Sequence, residues 1–569
     1  MGEIDIAQKE LLKAERSEFV SPTMVAGYLA ANFQFISIRE YRNELWRYDE
    51  DGTWHSDGNE FVRAFLEYNF PKQYRAEHLN ETILHLTNKT FASVKDFALG
   101  SVRYNPEDKE DILICVKNGV YSTKRKELLP HNPDYFFKRA IPHNYNPQAT
   151  CPEIHHFIWS ITTPYWDRFF SLYEQTAWLL EPENRKQKLG LWWGRGSNGK
   201  GKCLELNKRF IGVDNTSSVP LTSLQNNRFA AAELYDKMLN EAGEIPQDKP
   251  LSDTGILKGL RGEDTLTAEK KGRDPFQFVA QTKSIWAANK FPKTEDDTDA
   301  FMRSWIITKF ENQFLDELGN KDANLMDKIA TEAELEGLLA FILKYILPFV
   351  VKRPNFTFDQ TLAENRELYT RKSNSAKIFI DCRLVFEREA QVSKADVRQA
   401  YLKYCEAEDL LVETEKAFRQ TLNASGLQFE EHKVKGVPTW GGIRLSAEED
   451  QDTKQKELGE NSAKEKIPAD FEAAWAFYLK KQGIEDSRTF PTFPTFSYKP
   501  AKEREGVKEG IGEKDGNLSN PSTELPKEAG KGTCELCAAE ASPIFDYKGR
   551  YYCRDCLNNE LRQDAGEVV

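Results

Sequence analysis

The sequence predicts an α/β fold organised around a parallel sheet with helices on its faces. Two observations predict it. Between residues 153 and 355 the apolar strand-like runs KLGLWWG, DKMLNEAGE, TKSIWAANK and SWIITKF alternate with helical stretches, the pattern of strands joined by helical crossovers. A glycine loop, GRGSNGKGKC, also sits directly between the apolar run KLGLWW and the helical CLELNKRFIG. That strand, loop, helix order aims backbone N–H groups and a helix N-terminus at a phosphate.

Composition bounds the rest. A chain of 569 residues is long enough for roughly three to five domains. Hydrophobic residues make up 40%, aromatic 12% and charged 30%, a soluble globular balance with extra charge for linkers. The formal charge of -12 argues against adhesion of the whole surface to nucleic acid, but leaves room for a local basic channel. The start, MGEIDIAQKELLKAERSEF, has no apolar core of the kind a secretory signal needs, so a cytoplasmic, intracellular protein is expected. The most apolar run, Gly337 to Val351, is interrupted by Lys344 and Pro348 and falls short of the roughly 20 residues of a membrane span. A buried helix is expected there, and no membrane partner.

In chain order, residues 1–152 read as a mixed α/β domain, with short apolar runs separated by turn chemistry (LWRYDEDGTW, DILICVKNGVYS) and closed by the Pro/Asn-rich IPHNYNPQATCP. Residues 153–355 carry the parallel sheet. Residues 375–445 give two amphipathic helices, SKADVRQAYLKYCEAE and ETEKAFRQTLNAS, and the hairpin-like FEEHKVKGVPTWGGIRL, which is the order of a winged helix. Residues 446–530, rich in Lys, Glu, Gly, Pro and Ser and containing TFPTFPTF, read as a charged, mostly disordered linker with a possible helix in PADFEAAWAFYLKKQ. Residues 531–560 hold two C-x-x-C pairs, Cys534 with Cys537 and Cys553 with Cys556. Four thiolates at that spacing can close a tetrahedron around structural Zn²⁺ in a small ribbon; disulfides and an iron–sulfur cluster are the alternatives.

The glycine loop fits G-x4-G-K in two registers. Gly194, Gly199 and Lys200 fill one, with Gly201 where a Ser or Thr would help hold Mg²⁺; Gly196, Gly201 and Lys202 fill the other, with Cys203 in that place. Gly196, Ser197 and Asn198 lie inside the loop in the first reading. Three elements follow. The run KMLNEAGEIP ends in Glu241 and Glu244, carboxylates suited to orienting Mg²⁺ or polarising an attacking water. SIWAAN ends in Asn289, whose amide suits holding that water. DAFMRSW offers Arg303, an always-charged fork for phosphate.

These residues resemble a known family. Over about Val25 to Leu445 the chain is similar to the helicase part of the virus and plasmid primase-helicases, superfamily 3 helicases related to the poxvirus and phage types. NGVYS, HNPDYFFKRAIPHNYNPQATCP, GRGSNGK, KMLNEAGEIP, LKGLRGEDTLTAEKKGRDPFQF, KSIWAANKFP and DDTDAFMRSW carry the resemblance. It implies a P-loop AAA+-like core hydrolysing ATP with Mg²⁺. Lys200 would be the phosphate-binding lysine, and Gly201 a departure that occurs within the family. Glu244 would be the Walker B carboxylate, with Glu241 a second candidate, and Asn289 the sensor. Arg303 would be the arginine finger reaching a neighbouring subunit, although its usual second arginine is Ser304 here. A homo-oligomeric ring, commonly a hexamer, follows.

TAEKKGR puts Lys270, Lys271 and Arg273 at a hairpin tip. The bland reading is a solvated tip; the resemblance implies a hairpin that grips single-stranded DNA by its phosphates. Lys416, Arg419, His432, Lys433 and Lys435 offer phosphate or duplex-groove contacts, including origin duplex, from the winged helix, although such units also dock proteins. The expected function is an ATP-dependent 3′–5′ DNA helicase of virus or plasmid replication, working with a separate primase or polymerase and having no primase site of its own. The alternatives are a non-hydrolysing nucleotide- and DNA-binding initiator or scaffold, and a packaging ATPase.

Overall fold

The computed structural model describes residues 21–38, 44–71, 74–92, 100–243, 255–262, 264–272, 274–289, 298–316, 320–407, 410, 412–446 and 471–483, and strands within 527–553. The chain forms two units, Met1–Tyr498 and Lys499–Val569.

The first element among the described residues is α1 (Pro22–Asn32), started by the Ser21 hydroxyl accepting from the Met24 N–H and by Pro22 in its first turn. A four-stranded sheet follows, in the order β3-β2-β1-β4. Its strands are β1 (Phe35–Ile38), β2 (Glu44–Tyr48), β3 (Trp54–His55) and β4 (Phe91–Ala92), interleaved with α2 (Gly58–Asn69) and α3 (Ala76–Lys89). Leu29, Phe35, Leu45, Val62, Phe65 and Leu86 close the core between helices and sheet. A second, antiparallel sheet runs in sequence order through β5 (Val102–Tyr104), β6 (Ile112–Val116), β7 (Gly119–Ser122) and β8 (Glu127–Leu129). Two helices lead out of it, α4 (Pro152–Thr162) and α5 (Trp166–Trp178).

Next comes the central sheet, ordered β10-β11-β14-β9-β15 and parallel at every pairing. Its strands are β9 (Leu189–Trp193), β10 (Thr216–Ser217), β11 (Leu239–Ala242), β14 (Lys283–Ala288) and β15 (Trp305–Lys309). β9, β11 and β14 are buried along their whole length, as inner strands of a parallel sheet covered on both faces are, and β11 and β14 bury Asn240, Glu241, Lys283 and Ser284 among their apolar residues. α6 (Lys200–Ile211) follows β9, α7 (Leu221–Asn226) follows β10, and α8 (Gly255–Leu260) precedes a separate two-stranded hairpin, β12 (Thr265–Ala268) with β13 (Phe276–Val279). The short α9 (Asp299–Met302) leads into β15.

Beyond the sheet run α10 (Leu325–Ile329) and α11 (Glu332–Phe341). The run expected to be one buried helix is instead broken. α11 passes into a π-helical turn, Ile342–Ile346, and then α12 (Leu347–Val350). Pro348 has no N–H, and its ring crowds the carbonyl four residues earlier, so a wider turn absorbs it. α13 (Leu362–Ser373) leads to α14 (Ser375–Arg383), β16 (Leu384–Ser393), α15 (Lys394–Ala407), α16 (Glu415–Ala424), β17 (Glu430–Val434) and β18 (Val437–Leu445), whose strands pair in the order β16-β18-β17. α14 and β16 add to the two helices and hairpin read from sequence.

α17 (Phe471–Lys481) buries Ala474, Trp475, Tyr478 and Leu479 in the same core as α4 and α5. The Tyr478 hydroxyl donates to Glu174 Oε1 at 2.9 Å, and the Thr357 N–H to Glu174 Oε2 at 2.8 Å. In the second unit β19 (Lys527–Thr533), β20 (Glu540–Tyr547) and β21 (Arg550–Cys553) form an antiparallel sheet in that order. Cys534, Cys537 and Cys556 lie outside the described residues; Cys553 ends β21, with its side chain outside the description. Among the described residues no helix is long and apolar enough to cross a membrane.

Candidate nucleotide site

The carboxyl ends of three adjacent strands converge on the glycine loop. Trp193 pairs with Ala288 of β14 on one side and with Lys309 of β15 on the other, so Gly194, Asn289 and Phe310 leave the sheet side by side. The loop is locked to both neighbours: Gly194 N–H donates to the Ala288 carbonyl at 3.2 Å, and the Asn198 amide to the Phe310 carbonyl at 3.2 Å. Two glycines are required by space. A β-carbon on Gly194 would lie 2.1 Å from the Phe310 carbonyl oxygen; one on Gly199, whose φ is +86°, would lie 2.5 Å from Ile161 Cγ2 on α4. At Gly196 and Gly201 a β-carbon meets nothing within 4 Å.

Lys200 opens α6 and is buried at 5% exposure. Its ammonium donates into the loop, to the Gly194 carbonyl at 2.5 Å, the Arg195 carbonyl at 3.1 Å and Asn198 Oδ1 at 3.1 Å, and across to Asn289 Oδ1 at 3.3 Å. Lys202 points the other way, exposed, with Glu205 at 3.2 Å. Cys203 is buried in the core under the loop, and burial, then the nearby Glu241, push its thiol pKa up, which makes it an inert packing group. Arg195 and Ser197 are on the exposed crest; Arg195 donates to the Glu406 carbonyl near the end of α15 at 2.8 Å.

Glu241 sits one residue from the end of β11, 8% exposed. Its Oε2 is buried without a hydrogen-bond partner among the described residues. Burial pushes its pKa up to about 7, with Lys208 lowering it and Glu205 raising it. A buried, unsatisfied carboxylate oxygen carries a desolvation cost, and a cation at that atom would offset it, so the residues present fit Mg²⁺. Glu244 lies outside the described residues.

Arg303 does not join this constellation within the chain. It is exposed in the turn before β15, and Trp305, two residues on, pairs with Leu189 at the amino end of β9. The length of β15, about 13 Å at the usual strand rise, separates it from the loop. The β12–β13 hairpin leaves Lys270 and Lys271 exposed at its tip, while Arg273 lies outside the described residues. Its base is fixed by Leu266 and by Tyr235 packed edge-on against Phe276 and Phe278. On the 375–445 segment, Lys416, Arg419, His432, Lys433 and Lys435 are all exposed, with Arg419 paired to Glu431 at 3.1 Å.

Sequence reasoning missed the parts of the site that act through backbone or packing. Phe310 contributes its carbonyl, Ile161 the wall behind Gly199, and Gln175 a bridge from the Trp192 indole (2.8 Å) to Thr308 (2.9 Å) that ties α5 to the sheet. None belongs to a motif.

An open parallel sheet with a glycine loop at its carboxyl edge defines an α/β protein of the class that takes ligands at that edge. The comparisons narrow it. A family model described as D5 N terminal like matches residues 35–163, and one described as a family of unknown function (DUF5906) matches residues 192–303. "Putative helicase L207/L206" of Acanthamoeba polyphaga mimivirus is 24% identical over 273 residues, 45% of this chain and 28% of that protein. The chain therefore matches well under two thirds of that relative's length. Apo structures of the NrS-1 C terminal region align over 75% of this chain and 100% of theirs, at 12% and 13% identity, with TM-scores of 0.41 and 0.42. The amino-terminal part of the chain is thus similar to the D5 N terminal like family, and a stretch of it to a putative helicase of a giant virus.

Proposed function

We propose that the chain is an ATP-driven DNA helicase of the superfamily 3 type, with a P-loop AAA+-like core, acting in virus or plasmid DNA replication. The observation that carries it is the meeting of the Lys200 ammonium and the Asn289 amide oxygen, 3.3 Å apart at the carboxyl edge of a parallel sheet. Lys200 and the loop N–H groups bind the phosphates. Glu244, or Glu241 in its place, would hold the metal and orient the attacking water, and the Asn289 amide would position that water beside the terminal phosphate. Mg²⁺, when bound, supplies charge neutralisation on the phosphate oxygens.

Arg303, at the far end of β15, serves the nucleotide of a neighbouring subunit, which calls for a homo-oligomeric ring, a hexamer in the reading the resemblance favours. Lys270 and Lys271, with Arg273, grip the phosphates of single-stranded DNA without reading bases, moving 3′ to 5′. The helices and hairpin of 375–445 act as a winged helix for origin duplex or a protein partner. The four tail cysteines would hold structural Zn²⁺.

The second reading, a non-hydrolysing initiator or scaffold, is favoured by one observation: Gly201 supplies no hydroxyl for the metal. Steady-state ATPase of the purified protein with and without single-stranded DNA, beside Lys200→Ala, separates the two. DNA-stimulated turnover absent from the variant supports the motor; nucleotide binding with no turnover in either protein supports the scaffold.

A further inference from the structure

The chemistry-bearing side chains lie on one flank of the loop strand. Asn289 follows β14 and Glu241 is on β11, and in the sheet order β11-β14-β9-β15 both strands stand on the same side of β9. A triphosphate held by Lys200 with its terminal phosphate toward Asn289 has the opposite flank, above β15, open to its other end.

A cleft of about 360 Å³ lies there, at the small end of the range that holds small-molecule ligands. Trp193, Phe358 and Leu368 give it apolar walls, and Asp167, Glu364 and Glu367 an acidic rim. Two of its lining residues, Trp193 and Lys309, stand at the strand ends that border the loop. Trp193 immediately precedes Gly194, and Lys309, which also lines the cleft, pairs across from Trp193. Phe314 N–H then donates to the Ser197 carbonyl of the loop at 2.7 Å.

Two features narrow the occupant. The β15 backbone at Ile307 is already closed by Gln360, which accepts from its N–H at 3.1 Å and donates to its carbonyl at 2.9 Å, so a peptide strand finds no pairing at that residue. Both cations in the wall are engaged: Arg168 is held by Glu311 at 3.3 Å and lies 3.7 Å over the Tyr165 ring, and Lys309 pairs with the same Glu311 and lies 5.4 Å from the centre of the Trp193 ring. What faces an incoming ligand is apolar surface with carboxylate acceptors, which suits a flat base and a hydroxyl-bearing sugar.

We propose that this cleft binds the nucleoside of ATP, the purine against Phe358 and Leu368 and the ribose hydroxyls donating to Asp167. The inference rests on the nucleotide reading of the glycine loop and adds to it the residues that recognise the base and sugar.

The test measures binding of ATP and of inorganic triphosphate, which can occupy only the loop, to the full chain and to two variants checked for folding by thermal melting. Leu368→Trp narrows the slot and Asp167→Asn weakens a sugar acceptor. The expected result is an ATP affinity roughly tenfold weaker in Leu368→Trp and a few-fold weaker in Asp167→Asn, with triphosphate affinity within about twofold of wild type. Unchanged ATP binding in both variants overturns the assignment, as does parallel weakening of both ligands, which means the cleft acts only through the loop. A wild-type protein that binds neither ligand overturns the nucleotide reading itself, and this inference with it.

Discussion

Lys200 and Lys202 are two residues apart, and their surroundings assign them different work. Lys200 is buried among four oxygens at the strand ends, whereas Lys202 is solvated beside Glu205. Lys200→Ala is therefore expected to lower ATPase turnover at least about a hundredfold, and Lys202→Ala less than about threefold; the reverse ranking in steady-state assays would transfer the site to the second register. Glu241 makes the rate depend on pH. With its pKa pushed up to about 7 in the metal-free protein, the carboxylate that a cation needs forms as pH rises through about 7, so activation by Mg²⁺ is expected to strengthen with pH up to that range, and Glu241→Gln removes that dependence together with most of the activity. Stability moves the opposite way. Between the unfolded value of 4.5 and about 7 the unfolded chain ionises this group and the folded chain does not, so the unfolded state binds fewer protons and stability falls as pH rises. The loss across that window is roughly 3 kcal/mol in metal-free buffer, and denaturant melts of Glu241→Gln should lack it.

At the scale of elements, the loop and its helix show what was legible. The runs KLGLWW, KMLNEA and KSIWAA became the strands β9, β11 and β14, whose apolar residues fill the cores on both faces of the sheet, and the Gly-rich segment between β9 and α6 took the strand-to-helix turn. Illegible were the long-range partners: Phe310 and Ile161 meet the loop through a carbonyl and a methyl, which leave no mark in a motif; α14, by contrast, went unread although Asn374 caps it, accepting from the Lys377 N–H at 2.9 Å. The sequence also left the helix in PADFEAAWAFYLKKQ as a possibility within a linker, whereas α17 packs Trp475 and Tyr478 against Phe170 at 5.7 and 4.5 Å between ring centroids. Trp475→Ala is expected to cost about 3 kcal/mol, read as a lower melting temperature and faster proteolysis within 471–483. Gly201 gives the converse case. Its β-carbon position is open, so Gly201→Ser should fold with stability raised by up to about 0.5 kcal/mol, as expected for replacing a glycine inside a helix. If that helix position faces the metal, the Mg²⁺ concentration for half-maximal ATPase falls; an unchanged Mg²⁺ curve would mean that the missing hydroxyl is irrelevant here.

Across the whole molecule the question is whether one chain completes its own site. Lys200 and Asn289 meet at one end of the sheet and Arg303 is exposed at the other, so the proposed arginine finger has to act on a neighbour's nucleotide if it acts at all. Lys200→Ala and Arg303→Ala should then each be inactive alone for different reasons: the first cannot hold its nucleotide, the second cannot complete the next subunit's site. Mixed at equal amounts and allowed to exchange subunits, they regain activity wherever an Arg303→Ala chain, with its lysine intact, faces a Lys200→Ala chain, with its arginine intact. Random assembly makes about one interface in four competent, so the mixture should recover about a quarter of wild-type turnover. An arginine acting within its own chain gives no recovery at any ratio, because no chain in the mixture then carries both groups. Mixing each variant with wild type provides the control for exchange, and size-exclusion chromatography with light scattering establishes that every species assembles to the same extent before rates are compared.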